Sequence, residues 1–138
     1  MVDRPKLDQM LSNLRQYVAA LRQIAATPEE QFLSSPDKIG SAKYHLIIAI
    51  ECCIDIANHV IASENYRFPR NNADSLTVLV EQGILAADRR ESLRAMVGFR
   101  NRLVHLYWEV EDARVHGFLQ NSLSDLEDFG RAIATYDW

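Results

Sequence analysis

The sequence has few of the residues that define several protein classes. Its 138 residues include only two cysteines, five glycines and four prolines. The cysteines, Cys52 and Cys53, are neighbours in an apolar run, and no C-x-x-C or Cys/His zinc spacing exists. A disulfide framework and a zinc site are therefore not expected. We expect two buried thiols in a reducing compartment instead.

Long apolar runs and period-two patterns are also missing. The longest apolar run, LIIAI at 46–50, is far too short to span a bilayer. Residues 1–15 mix charged and apolar side chains, which is unlike a signal peptide. We therefore expect a cytoplasmic protein with no membrane partner. No segment alternates as a strand would, and no internal repeat divides the chain, so residues 1–138 are expected to form one domain.

Charge is modest overall but unevenly placed. The net charge of −4 argues against a general nucleic-acid coat protein. Residues 89–102, however, hold five arginines against one glutamate, a local charge of +4 that leaves −8 for the rest. A small basic patch on an acidic protein can hold a few phosphates without binding nucleic acid indiscriminately.

Helical periodicity runs through the first half of the chain. Residues 7–25 have one apolar stripe at four-three steps, which predicts a first helix. Thr27, as an N-cap before Pro28, predicts a short second helix, and Ser35-Pro36 predicts a third that reaches about residue 63. The centre of this third helix, HLIIAIECCIDIANHVI, is apolar on nearly all sides, as in the middle of a bundle.

The second half continues the pattern after a loop. NYRFPRNNAD at 65–74 predicts that loop, and Asp74 is expected to cap a helix that ends at Gly83. Residues 87 to about 106 and 115–133 predict two more helices. The core stripe of the first of these is Leu93, Met96, Phe99, Leu103 and Leu106. The sequence thus predicts an all-α protein, an up-and-down bundle of four to five helices.

One stretch concentrates polar and aromatic residues, GFRNRLVHLYWEV at 98–110. Asn101 and His105 are four apart and share a helix face, whereas Arg100 lies about 140° from His105 around the axis. Only the length of Arg100 would let it swing toward the histidine, and a second copy of the chain could complete the site. Gly98 costs about 1 kcal/mol in a helix, which suggests that another backbone comes close there.

These residue types suit the cleavage of RNA without a metal. An arginine clamps phosphate oxygens, and a histidine transfers protons near neutral pH. Asn101 could orient the imidazole or a ribose hydroxyl. The structural alternative is that an arginine and a histidine at a helix end form a solvated face that compensates the helix dipole.

A second group lies on the long third helix. Glu51, Asp55 and His59 are four residues apart, so they form a ladder on one face. The ladder spans about 12 Å, too far for one metal ion. A polar ladder that supports the neighbouring helix or a dimer contact is the expected role, and neither a metal nor a cofactor is expected.

The motif Arg100-x4-His105-x-Tyr107 resembles the R-x(4–6)-H signature of the HEPN superfamily of ribonucleases, and more narrowly the R-x4-H-x-Y motif of HepT toxins. Three runs, at 50–64, 79–97 and 97–112, are similar to that family, and the likeness extends from about residue 36 to the end. One departure is Leu106, where an acidic or polar residue is common.

The resemblance implies a HEPN-like domain that acts as a homodimeric, metal-independent endoribonuclease toxin on tRNA or mRNA. It implies catalysis by Arg100, Asn101 and His105, and a partner antitoxin of the MntA kind, a nucleotidyltransferase that transfers AMP to Tyr107. The alternative is a catalytically silent HEPN-type module that binds such a partner or RNA. The supporting residues of the site would be Glu51, Asp55, His59 and Arg102.

Overall fold

The computed structural model describes residues 1–138 and contains no strand. The seven α-helices are α1 (Arg4–Ala25), α2 (Glu29–Leu33), α3 (Pro36–Ser63), α4 (Asn72–Glu81), α5 (Arg90–His105), α6 (Asp112–Asn121) and α7 (Leu123–Thr135). Short 3₁₀ turns, Ala87–Arg89 and Tyr107–Glu109, flank α5. The predicted all-α bundle is confirmed. The structure has seven helices where four to five were predicted, partly because the last predicted helix divides into α6 and α7 at Ser122.

The long helix α3 lies in the middle of the bundle, as its apolar composition predicted. It packs against α1, α2, α4, α5, α6 and α7. The buried apolar side chains of all these helices form one continuous cluster of 35 residues. Because α3 touches every other helix, a polar side chain on its surface can face a functional group carried by a neighbour. This arrangement places Glu51 and Asp55 beside α5.

By length and composition alone, α3 could cross a membrane. Its most apolar window has a mean hydropathy of 1.7. More than half of that window, 56%, is buried inside the bundle. The central helix of a bundle needs the same composition, because protein surrounds it on most sides.

Most helix ends follow the sequence, with two exceptions. The Ser35 hydroxyl accepts a hydrogen bond from the Lys38 amide at 3.3 Å, as predicted for the cap of α3. Thr27 does not cap α2, which has no side-chain cap. Asp74 is not the cap of α4 either. Asn71 is, since its Oδ1 accepts from the Asp74 amide at 2.8 Å.

Helix α5 turns its apolar stripe into the core and ends at His105, close to the predicted end near residue 106. Leu93, Met96, Phe99 and Leu103 are buried. Leu106 is exposed, which corrects its assignment to the core stripe. The reason is local: α5 ends at His105, and Leu106 leaves helical geometry with φ −131° and ψ 42°. Leu106 therefore leaves the buried stripe, and Trp108 after it is 82% exposed.

Candidate active site

Arg100 reaches from α5 to α3 and is held at both sides of its guanidinium. Its Nη2 donates to Glu51 Oε1 at 2.7 Å, and its Nη1 donates to Asn101 Oδ1 at 2.9 Å. The arginine side chain is 17% exposed. The two acceptors orient the guanidinium before any ligand arrives, and an oxyanion that binds there would share it with the Glu51 carboxylate.

His105 does not join this arrangement within one chain. It is the last residue of α5, it is exposed, and no hydrogen bond or ion pair links its imidazole to the side chain of Arg100 or Asn101. Arg100 and His105 are five residues apart, which is about 7.5 Å along the helix axis. Asn101 contacts Arg100 rather than the imidazole, and Arg100 turns toward α3 rather than toward His105. The expected swing of the arginine to the histidine is therefore absent.

The predicted ladder on α3 is divided between two environments. Glu51 and Asp55 line a small groove of about 270 Å³ together with Arg100. Burial raises the pKa of the Asp55 carboxyl, the charge of Glu51 raises it further, and Arg100 offsets part of this. His59 does not line the groove, and its Nε2 is buried without a partner. No three His, Cys, Asp or Glu side chains lie close enough together to hold a metal ion.

Tyr107 sits in the 3₁₀ turn after α5, and its ring rests on a lysine from α3. Lys43 Nζ lies 4.4 Å from the ring centroid. The same ammonium group donates to the Tyr107 carbonyl at 3.3 Å and pairs with Asp112 at 3.5 Å. Lys43 is buried, and its three contacts fix the turn against the bundle while Tyr107 itself stays 41% exposed.

Lys43 was not predicted to have a role, although its position in the sequence indicates a buried lysine. It stands three residues before Leu46 and seven before Ile50, both of which are fully buried. A lysine on an apolar stripe needs a partner, because burying an unpaired charge is costly. That requirement points to an anionic or carbonyl group on a neighbouring segment, here the turn that carries Tyr107.

The basic patch predicted at 89–102 is smaller than its composition indicates. Arg89 forms ion pairs with Asp125 and Asp128 of α7, and Arg100 pairs with Glu51. Arg102, one of the expected supporting residues, is exposed, and its side chain makes no hydrogen bond or ion pair in the chain. The arginines without ion-pair partners here are Arg90, Arg94 and Arg102.

The end of α5 exposes apolar surface beside the motif. Val104, Leu106, Tyr107 and Trp108 are all at least 40% exposed, and Trp108 reaches 82%. We call these four residues the α5-end patch. Large apolar side chains grouped in this way are typical of an interaction surface.

Gly98, by contrast, has open space around it. Apart from the adjoining residues and the backbone of its own helix, no atom of the chain lies within 4 Å of a Cβ built at this position. The close backbone approach expected there does not occur inside one chain. The glycine instead leaves a shallow gap in an exposed face of α5.

Residues 14–133 match the family described as Ribonuclease HepT-like. The chain belongs to the HepT-like family. The mRNA nuclease HepT of Shewanella oneidensis is 39% identical over 80 residues, which cover 57% of this chain. The aligned part spans 59% of that relative's own length. The putative RNase YutE of Bacillus subtilis is 24% identical over 135 residues, covering 98% of this chain and 90% of YutE.

Solved structures agree with this family assignment. A tri-AMPylated HEPN toxin of Shewanella oneidensis, in complex with its MNT antitoxin, superposes with a TM-score of 0.87 and 27% identity. That match covers 99% of this chain and 100% of the toxin. YutE, described as a cytosolic protein of unknown function, superposes with a TM-score of 0.84, and its 21% identity supports the fold alone.

Proposed function

We propose that this HepT-like chain is the toxin of a toxin–antitoxin pair, a metal-independent endoribonuclease that works as a homodimer in the cytoplasm. The single observation that carries the proposal is the fixed guanidinium of Arg100, held by Glu51 and Asn101 at a polar groove. A preorganised cation at such a groove suits an RNA phosphate. The activity named for the HepT relative supports the same reaction.

The reaction that fits these groups is attack of a ribose 2′-hydroxyl on the adjacent phosphorus. The 2′-oxygen bonds to phosphorus while the bond from phosphorus to the 5′-oxygen breaks. His105 accepts the 2′-hydroxyl proton, and an imidazolium returns a proton to the 5′-oxygen. Arg100 stabilises the negative charge that builds on the non-bridging oxygens, and Asn101 holds Arg100 in place. The products are a 2′,3′-cyclic phosphate and a 5′-hydroxyl.

A second copy of the chain would complete the site. His105 and Arg100 make no contact in one chain, and the α5-end patch beside His105 is exposed. A two-fold axis near the end of α5 would bury Leu106 and Trp108 of this patch, leave the Tyr107 hydroxyl accessible, and bring one protomer's His105 toward the partner's groove. The open space at Gly98 would let two α5 helices approach closely.

Regulation would act on Tyr107. We infer that a nucleotidyltransferase antitoxin of the MntA kind transfers AMP from ATP to the phenol. The Tyr107 oxygen would bond to the α-phosphorus, pyrophosphate would leave, and the phenol proton would pass to a base. The AMPylated HEPN toxin among the structural neighbours supports this step. The adduct would carry a phosphodiester near the site that binds substrate phosphate, and tethering would make it an effective competitor.

The proposed toxicity is tested by expression. Cells that express the wild-type chain should stop growing, and cells that express His105→Ala should not. Co-expression of the antitoxin should restore growth of the wild type. A wild type that never arrests growth, although it is expressed and folded, would favour the catalytically silent module that only binds its partner.

The proposed regulation is tested by intact mass after incubation with the antitoxin and ATP. We expect one or more AMP additions on the wild type and none on Tyr107→Phe, which should keep its ribonuclease activity. Tyr44→Phe is a matched control, because Tyr44 is an exposed tyrosine on the neighbouring helix. Equal modification of the wild type and Tyr107→Phe would place the acceptor elsewhere.

A further inference from the structure

A second groove continues from the one that holds Arg100. It has a volume of about 560 Å³ and lies between the end of α3, the loop 64–71 and the start of α4. Asn58 and Asn72 line both grooves, so the two are adjacent along α3, and we call the pair the channel. From Asp55 to Ala62, which lines the far groove, the helix rises about 10 Å. A ligand longer than one nucleotide could therefore leave Arg100 and follow this channel.

Phe68 stands in the far groove with 92% of its surface exposed. The loop that presents it is tightly held. Arg67 donates to both Asp74 and Glu81 at 2.8–2.9 Å, with two bonds to each carboxylate. These bonds to Arg67 lower the pKa of both carboxyls, so the clamp stays ionised at neutral pH. The loop thus presents its aromatic ring to solvent from a fixed backbone.

Polar groups in the far groove have hydrogen-bonding capacity to spare. Asn58 Oδ1 accepts from the Ser75 hydroxyl, which leaves both amide hydrogens of Asn58 without a protein acceptor. Asn71 likewise uses its Oδ1 to cap α4. Asn65 closes α3 with φ 55°, a left-handed conformation that asparagine tolerates. The guanidinium of Arg70 is 86% exposed, with Asp74 4.0 Å away.

We propose that this far groove binds a base of single-stranded RNA, stacked on Phe68, a few nucleotides from the phosphate held by Arg100. The inference rests on the proposed ribonuclease function, because the two grooves would hold one strand. An exposed aromatic ring stacks on any base, and amide side chains can hydrogen-bond to base edges. Arg70 supplies a cation for the backbone. A protein partner is less favoured, because the far groove adjoins the groove that holds Arg100 and four of its eleven lining residues are asparagines.

Binding of a non-cleavable RNA tests the proposal directly. The probe is a fluorescent single strand about ten nucleotides long, 2′-O-methylated throughout so that it lacks the attacking hydroxyl. Anisotropy should show that Phe68→Ala weakens binding by about 5- to 100-fold, the loss expected for one stacked base. Phe68→Tyr should bind like the wild type. Leu33→Ala, which removes an exposed apolar side chain elsewhere, is the matched control and should change nothing.

Two further measurements separate stacking from a general effect. When bases are removed one at a time, one abasic position should weaken binding to the wild type but not to Phe68→Ala, because both changes remove the same contact. Arg70→Ala should reduce the salt dependence of binding by about one phosphate contact. Thermal melting should be unchanged in all variants, since both side chains are exposed.

The failures of the two proposals have different signatures. If the wild type cuts unmodified RNA and Phe68→Ala binds the probe equally well, the base site is wrong and the ribonuclease function stands. If Phe68→Ala instead loses affinity only for the antitoxin, the loop is a protein contact and the base site is also wrong. If the wild type neither binds nor cuts RNA, both proposals fail.

Discussion

Among single residues, Asp55 carries an electrostatic cost that the groove imposes. Its carboxyl is partly desolvated and lies near Glu51, so its pKa is raised in the folded chain. The folded state therefore binds this proton more tightly than the unfolded state. The resulting stabilisation is present below the unfolded pKa and is lost as pH rises through the folded pKa. At neutral pH an ionised Asp55 makes folding less favourable.

Asp55→Asn should therefore raise the melting temperature at pH 7 relative to the wild type. The gain should shrink as the pH falls and reach zero below about pH 3, where the carboxyl is protonated in both states. Thermal melts at a series of pH values measure it. Asp137→Asn is the control, an aspartate beyond the last helix. A lower melting temperature for Asp55→Asn at pH 7 would show that the carboxylate stabilises the fold.

Lys43 gives a second prediction at this scale. Lys43→Met keeps the length of the side chain but removes its bond to the Tyr107 carbonyl and its ion pair with Asp112. We expect amide hydrogens of residues 106–112 to exchange about fivefold faster, the loss of roughly 1 kcal/mol of local stability. Hydrogen exchange followed by mass spectrometry measures this. Lys43→Arg should stay close to the wild type, and unchanged exchange in Lys43→Met would contradict the anchoring role.

At the scale of helices, periodicity predicted more than individual ends did. The apolar stripes of α1 and α3 depend only on the helical repeat and on burial of one face, so the sequence was sufficient to predict these helices. Thr27 and Asp74 were assigned wrongly as caps because a cap depends on local backbone angles, and Asn71 competes with Asp74 three residues away. Leu106 fits the stripe but lies beyond the point where α5 ends.

For the candidate site, too, the sequence identified residues better than it identified their contacts. The R-x4-H-x-Y motif pointed to Arg100, Asn101 and His105. The polar ladder on α3 pointed to Glu51, which lies on the side of α3 that contacts α5. Helical spacing could not show that Arg100 turns to Glu51, because that bond joins residues 49 positions apart. The same holds for Lys43 and Tyr107, which are 64 positions apart.

The exposed face of α5 gives a prediction at the scale of this helix. Gly98→Leu meets no atom near its Cβ in one chain, so the fold should survive. If two α5 helices meet there, the larger side chain should separate them. Light scattering should give about twice the chain mass of 15.8 kDa for the wild type and a shift toward one chain for Gly98→Leu. Gly117→Leu, at another helical glycine with open space, should remain dimeric. A monomeric wild type at tens of micromolar would remove the shared site.

At the scale of the whole molecule, the unpaired positive charge and the exposed apolar surface both lie on or next to α5. The chain is acidic overall, yet α5 carries unpaired arginines at Arg90, Arg94 and Arg102 and ends beside the apolar α5-end patch. One chain thus provides an oriented guanidinium, an exposed histidine and a surface for association, but not a closed site. A dimer would supply the missing contact between the histidine and the arginine.

Cleavage of total RNA by the purified chain in EDTA is the measurement that tests the central claim most directly. We expect the wild type to cut RNA and leave 2′,3′-cyclic phosphate ends. His105→Ala and Arg100→Ala should each lose at least about 100-fold in rate, the scale of a proton-transfer or charge-stabilising group. Both should remain folded, because His105 is exposed and the Glu51 left behind by Arg100→Ala can be hydrated. Full activity of His105→Ala, or cleavage that EDTA abolishes, would contradict the proposed mechanism.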